Sequence, residues 1–111
     1  MAKTGHYRLG RAREHNLRRK LTEQGFFCVR CIKSAGGRIG NTVKPVDLLA
    51  IKKGETPIMI QVSRHRRHID EEEIGELKRL ADLYGAKPIL AYIEKRRWVM
   101  EDLSSSGGFI L

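Results

Sequence analysis

The stretch that decides the fold is Pro45-Val46-Asp47-Leu48-Leu49-Ala50-Ile51-Lys52-Lys53-Gly54-Glu55-Thr56-Pro57-Ile58-Met59-Ile60-Gln61-Val62-Ser63. Two runs rich in aliphatic and β-branched residues, 46–51 and 57–63, flank the turn signal Lys53-Gly54. The short connection predicts an antiparallel hairpin, with Pro57 as the first residue of its strand or at an edge. Asp47 opens an otherwise apolar strand, and Gln61 and Ser63 interrupt the far end of the other. Counting outward from the turn brings Asp47 close to Gln61. The two-residue period of a strand places Gln61 and Ser63 on one face.

Upstream, residues 8–24 read as an amphipathic helix. Leu17 and Leu21 are spaced i, i+4, and Leu9 lies two turns earlier on nearly the same face. Gly25 suits the position after a helix end. Residues 26–32 (Phe-Phe-Cys-Val-Arg-Cys-Ile) read as a strand. Residues 33–44 hold three glycines and three basic side chains. They form a mobile loop in this reading, either a plain connection or one whose bare backbone amides approach phosphates.

Downstream, Asp70 followed by Glu73 forms an N-cap with a capping-box partner, and Glu71 and Glu72 suit the positive end of the helix dipole. Ile74, Leu77, Leu80, Ala81 and Tyr84 carry the helical period to a stop at Gly85. Pro88 opens a strand over 89–93, and Lys95-Arg96 turns it into a further strand at Trp98–Met100. The order α-β-β-β-α-β-β predicts an α/β domain with a mixed, roughly five-stranded sheet flanked by helices. The expected domain covers residues 1–103. Residues 104–111 are expected to be a flexible tail with an apolar end, Phe109-Ile110-Leu111.

The chain has 111 residues, enough for one domain, and 41% hydrophobic residues, enough for one core. Disorder is thereby disfavoured although 32% of residues are charged. No apolar run approaches the roughly 18 residues of a membrane span. The basic N-terminus has no apolar core, so a secretory leader is not expected. Two cysteines without such a leader suggest a reducing compartment: the cytoplasm of a prokaryotic cell or, for a viral protein, of its host. The net charge of +9 is unevenly placed. Residues 1–44 hold 11 Lys+Arg and two acids, Glu14 and Glu23, whereas 45–111 hold 11 of each sign. The whole excess therefore lies in the first part of the chain, which favours a polyanion, nucleic acid before membrane, over a merely solubilising surface.

Asp47, Gln61 and Glu14 are candidate hard ligands for Mg²⁺ or Mn²⁺, which beside a basic surface would polarise a phosphodiester and activate water. The plain alternative has Asp47 capping a strand end, Gln61 satisfying backbone, and Glu14 pairing with a basic neighbour. Cys28-x-x-Cys31 with His65-x-x-His68 invites a zinc site. Residues i and i+3 of a strand point to opposite faces, however, so ordinary interior cysteines are expected instead. Trp98 and Tyr92 are expected in the core rather than stacked on bases.

The order Gly10-x-x-x-Glu14-x-x-Leu17-x-x-x-Leu21, Gly25-Phe26, Val29-Arg30, Ser34-x-Gly36-Gly37, Pro45-x-Asp47-x-x-Ala50, Ile60-Gln61-Val62 resembles the archaeal-type Holliday junction resolvases of the PD-(D/E)xK nuclease superfamily. The resemblance implies a restriction-endonuclease-like fold, a homodimer, and metal-dependent paired nicks in a four-way DNA junction. It implies catalytic roles for Glu14, Asp47, Gln61, Ser63 and Ser34, with Mg²⁺ or Mn²⁺ held by Asp47, Gln61 and Glu14. It further implies DNA contacts from Lys3, Arg8, Arg11, Arg13, Arg18 and Arg30 in the first part of the chain. Lys33 and Arg38 in the glycine-rich loop, and Arg64, Arg66 and Arg67 after the hairpin, complete that set. The chain departs from the family pattern by Val46 between proline and aspartate, by Gln61 in place of Glu, and by Ser63 in place of the catalytic lysine. Those departures leave two further functions to weigh: a degenerate junction-binding protein, and a repair or restriction-type nuclease acting on duplex DNA. An RNA-binding protein is a third, weaker class.

Overall fold

The computed structural model describes residues 2–31, 46–105 and 107–111, with the side chains of 2–11 and His68 outside the description. Helix α1 (Ala2–Glu23) is followed by strands β1 (Phe27–Arg30), β2 (Leu48–Ile51) and β3 (Ile58–Val62). A 3₁₀ turn (Arg66–His68) leads into helix α2 (Glu71–Tyr84), and then come β4 (Lys87–Glu94), β5 (Arg97–Asp102) and β6 (Gly108–Ile110). The strands form one mixed sheet in the order β1-β2-β3-β4-β5-β6. All neighbours pair antiparallel except β3 and β4, which run parallel because α2 supplies the long crossover that parallel strands need.

The helices cover opposite faces. On the α1 side, Leu17 and Leu21 pack with Cys28, Leu48, Ala50, Ile58, Ile60, Ile89, Ala91, Trp98 and Met100. On the α2 side, Ile74, Leu77 and Leu80 pack with Val46, Ile69 and Leu90. β4 sends Ile89 and Ala91 to one layer and Leu90 to the other, which is why it reads as an unbroken apolar run. Each fully buried aliphatic side chain here contributes about 1.5–3 kcal/mol. Trp98 is a core residue, as expected, and its Nε1 donates to Asn16 Oδ1 on α1 (3.1 Å).

The α2 boundaries follow from local chemistry. Asp70 Oδ1 accepts from Glu73 N (2.8 Å), and Gly85 takes the left-handed conformation (φ 71°) that ends the helix. Lys95 and Arg96 both have positive φ, the tight turn joining β4 to β5.

Most strand ends shift by one or two residues from the sequence expectation, β1 ending at Arg30, and the larger differences lie elsewhere. α1 begins at Ala2 rather than residue 8. The sheet has six strands rather than five, because β6 forms within residues expected to be a flexible tail. The extra strand combines a local turn with contacts across the sheet. The Asp102 carboxylate accepts from the amide (2.9 Å) and hydroxyl (2.6 Å) of Ser104, making a tight turn of the Ser/Gly-rich stretch. Leu111 N then donates to Trp98 O (3.0 Å) and Leu111 packs on the α1-side core. Gly108 (φ 152°) sits where a Cβ would run into the Met100 carbonyl.

Candidate active site

The open end of the β2–β3 hairpin gathers the polar residues that the sequence singled out. Asp47 N donates to Ile60 O (2.8 Å), and Asp47 Oδ2 accepts from Val62 N (2.8 Å). The aspartate is thus bonded to the residues on either side of Gln61, as counting outward from the turn predicts. Asp47 and Gln61 are the two buried polar side chains among the described residues, each 8% exposed. Gln61 Oε1 is buried with no hydrogen-bond partner among the described residues. An unpartnered buried amide oxygen costs about 1–3 kcal/mol, and it is a hard-oxygen donor in want of a cation or a proton donor.

Glu14 reaches the same end of the sheet from α1, where it accepts from Arg30 Nε (2.7 Å) across a half-buried pair. Of the two roles open to this acid, the ion-pair partner is the one observed. Burial pushes the Cys31 thiol up, and the carboxylates of Asp47 and then Glu14 push it further. Both acids therefore lie within electrostatic reach of one point. Among the described residues no three His, Cys, Asp or Glu side chains converge tightly enough to hold an ion. The donors suited to a hard divalent cation are the Asp47 carboxylate and the Gln61 amide oxygen, while Glu14 is engaged by Arg30 at the same end of the sheet.

Cys28 packs in the α1-side core and Cys31 against the α2-side core, so the pair straddles the sheet and cannot share a zinc ion. Both are free thiols, and Cys31 stands beside the candidate site, a proximity that strand periodicity alone does not reveal.

Ser63 is still sheet-bound, its amide donating to Ala91 O (2.8 Å), but its hydroxyl is turned to the His65 carbonyl (2.9 Å). β3 ends at Val62, and the chain then leaves the sheet through the basic run after Ser63. Arg64 and Arg67 are exposed, whereas Arg66 Nε donates to Glu101 Oε1 (2.9 Å) on β5. Tyr92 OH donates to the same oxygen (3.1 Å), and burial, then that bond, pushes its pKa up. This Arg66–Glu101–Tyr92 cluster escaped the sequence reading. Its one legible signal is the Lys95-Arg96 turn, from which Tyr92 and Glu101 count back to diagonal positions on one face. Arg13 is half-buried and Arg18 exposed on α1. Lys3, Arg8 and Arg11 fall where side chains are not described, and Lys33, Ser34 and Arg38 lie outside the described residues.

A mixed sheet whose central hairpin carries a buried carboxylate opposite an amide, flanked by α1 and the α2 crossover, defines a restriction-endonuclease-like fold. Within that class, the family model of the archaeal Holliday junction resolvases (Hjc) matches residues 5–105, and the chain belongs to that family. It is 37% identical over 87 residues to the crossover junction endodeoxyribonuclease Hjc of Methanocaldococcus jannaschii. That match covers 77% of this chain, which spans 59% of the length of the relative. In fold the chain is similar to Hjc of Archaeoglobus fulgidus, a Holliday junction resolvase from an archaeal hyperthermophile. The TM-score is 0.67 at 20% identity, over 90% of this chain and 85% of that one.

Proposed function

We infer that this chain is a divalent-metal-dependent endonuclease that resolves branched DNA, such as four-way Holliday junctions, by paired nicks. The observation that carries the reading is the unpartnered, buried Gln61 Oε1 beside the buried Asp47 carboxylate. Asp47 and Gln61 would hold Mg²⁺ or Mn²⁺, with Glu14 adding negative potential at the same end. When bound there, the cation would polarise the scissile phosphodiester and lower the pKa of the attacking water.

The chain's own residues do the rest. The Val62 amide fixes the Asp47 carboxylate. Glu14 accepts from Arg30 Nε and so fixes the orientation of that guanidinium at the same end of the sheet. Arg64, Arg67 and the basic first part of the chain grip the backbone without reading bases. Paired nicks call for two such sites, hence a homodimer, and the reducing surroundings suggested by the free thiols fit the cytoplasm. No helix of the described residues is long and apolar enough to cross a membrane.

The test is incubation of the protein with a labelled four-way junction and, separately, its linear arms in Mg²⁺ and in Mn²⁺. Symmetric nicks confined to the junction are expected. Equal cutting of the linear arms would favour a duplex-acting nuclease. Tight binding without nicks in either ion would favour a degenerate junction-binding protein. The Ser63 hydroxyl, turned to the His65 carbonyl and uncharged, speaks for that second reading.

A further inference from the structure

The segment that leaves the candidate site is anchored by side chains from the other half of the sheet. Pairing with β4 continues to Ser63, after which the chain departs through the basic run Arg64–Arg67. The 3₁₀ turn Arg66–His68 has no side-chain cap at its start. Ser63 Oγ on the His65 carbonyl and the buried Ile69 hold its two ends, and from the far strands Arg66 Nε is held by Glu101 Oε1 (2.9 Å), with Tyr92 OH on the same oxygen (3.1 Å). Tyr92 faces Val99 across the β4–β5 ladder and Glu101 is two residues further along the same face. The carboxylate is thereby oriented by one neighbour and grips the other. The ion pair is 41% and 31% exposed at its two side chains, a setting in which such pairs add little stability. Arg64 and Arg67, on either side of the anchored arginine, are exposed and make no ion pair among the described residues.

We propose that Glu101, oriented by Tyr92, is a positioning residue for DNA: it clamps Arg66 so that Arg64 and Arg67 stand out beside the candidate site as phosphate contacts. The proposal rests on the nuclease reading above but makes a prediction that runs against simple electrostatics. Removing an acid beside a DNA surface ordinarily strengthens binding. Here removing it releases the arginine that shapes the loop, so binding weakens.

The experiment measures binding of the 111-residue chain to a fluorescent four-way junction and to a linear duplex, in EDTA, over a salt series. The variants are Glu101→Gln, Tyr92→Phe, Arg66→Gln and the double variant Arg66→Gln/Glu101→Gln. Glu101→Gln is expected to weaken binding about 3- to 10-fold and to make the salt dependence shallower by roughly one phosphate contact. Tyr92→Phe, which deletes only a hydroxyl, should move binding the same way by less. The double variant should bind no worse than Arg66→Gln, because the two residues act as one unit. Glu101→Gln binding as tightly as the parent or tighter, or effects that add in the double variant, would overturn the proposal, provided melting temperatures match. A parent that binds duplex as well as junction would defeat the branched-DNA reading alone, and the same cycle on duplex would still decide the role of Glu101. A parent that binds neither defeats both.

Discussion

At the turn end of the β2–β3 hairpin, Lys52 Nζ donates to Gln24 O (2.9 Å), lies 5.1 Å from the Phe26 ring centroid and stands 3.8 Å from Glu55. At the open end of the same hairpin, Gln61 Oε1 is buried with no hydrogen-bond partner among the described residues. A half-exposed lysine is tied on three sides while a nearly fully buried amide is left wanting. The turn end is organised for stability: it holds the C-terminal end of α1 to the sheet through the Gln24 carbonyl. The open end carries a local energetic cost that folding alone does not explain, and such costs concentrate where a ligand completes the site.

The contrast can be broken from either side. The largest effect is expected for Asp47→Ala, which should lower metal-dependent nicking by on the order of 100-fold or more while junction affinity in EDTA stays within a few fold. Loss of both together would mean that Asp47 supports the fold rather than the chemistry. Next comes Gln61→Leu. It removes a buried polar group that has no partner, so chemical denaturation should report a gain of about 1 kcal/mol in stability. The same change should cost at least about 10-fold in nicking. A destabilised Gln61→Leu would show that the amide oxygen is satisfied in the folded protein.

At the turn end the signs reverse. Lys52→Met keeps the aliphatic stem and loses the charge, and should cost about 1 kcal/mol of stability with nicking unchanged. The smallest effect concerns the turn that launches β6. Burial acts to raise the Asp102 carboxyl, but the Ser104 hydroxyl and amide, with the charge of Lys87, outweigh it and hold the group below the ordinary carboxylate range. A depressed native value means that this contribution is present above the unfolded value of about 4 and fades as pH falls through the native one. Ser104→Ala should therefore lower the melting temperature at neutral pH by about 2 °C and flatten its fall below pH of about 4.

Local signals accounted for much of the architecture. The Asp70–Glu73 cap, the Gly85 stop and the turns at Lys53-Gly54 and Lys95-Arg96 each act within a few residues, and each appears where the sequence puts it. The pairing of Asp47 with the neighbourhood of Gln61 follows from the same turn, because the register of a short hairpin is set by its loop. The sixth strand was not legible. Ser104–Gly108 has the composition of a linker, and only its placement beside β5, with Leu111 reaching the α1-side core, makes it pair.

The sequence by itself determined the α/β class, the hairpin and which polar residues share its open end, since periodicity and turn chemistry are properties of neighbouring residues. The tertiary structure alone decided what those residues face. It paired Glu14 with Arg30 from β1, turned Ser63 to a loop carbonyl, and drew Arg66 away to Glu101 on β5. Each of these is a side-chain choice among several possible partners. Such choices are settled by distance and burial across the sheet, which no local pattern in the chain encodes.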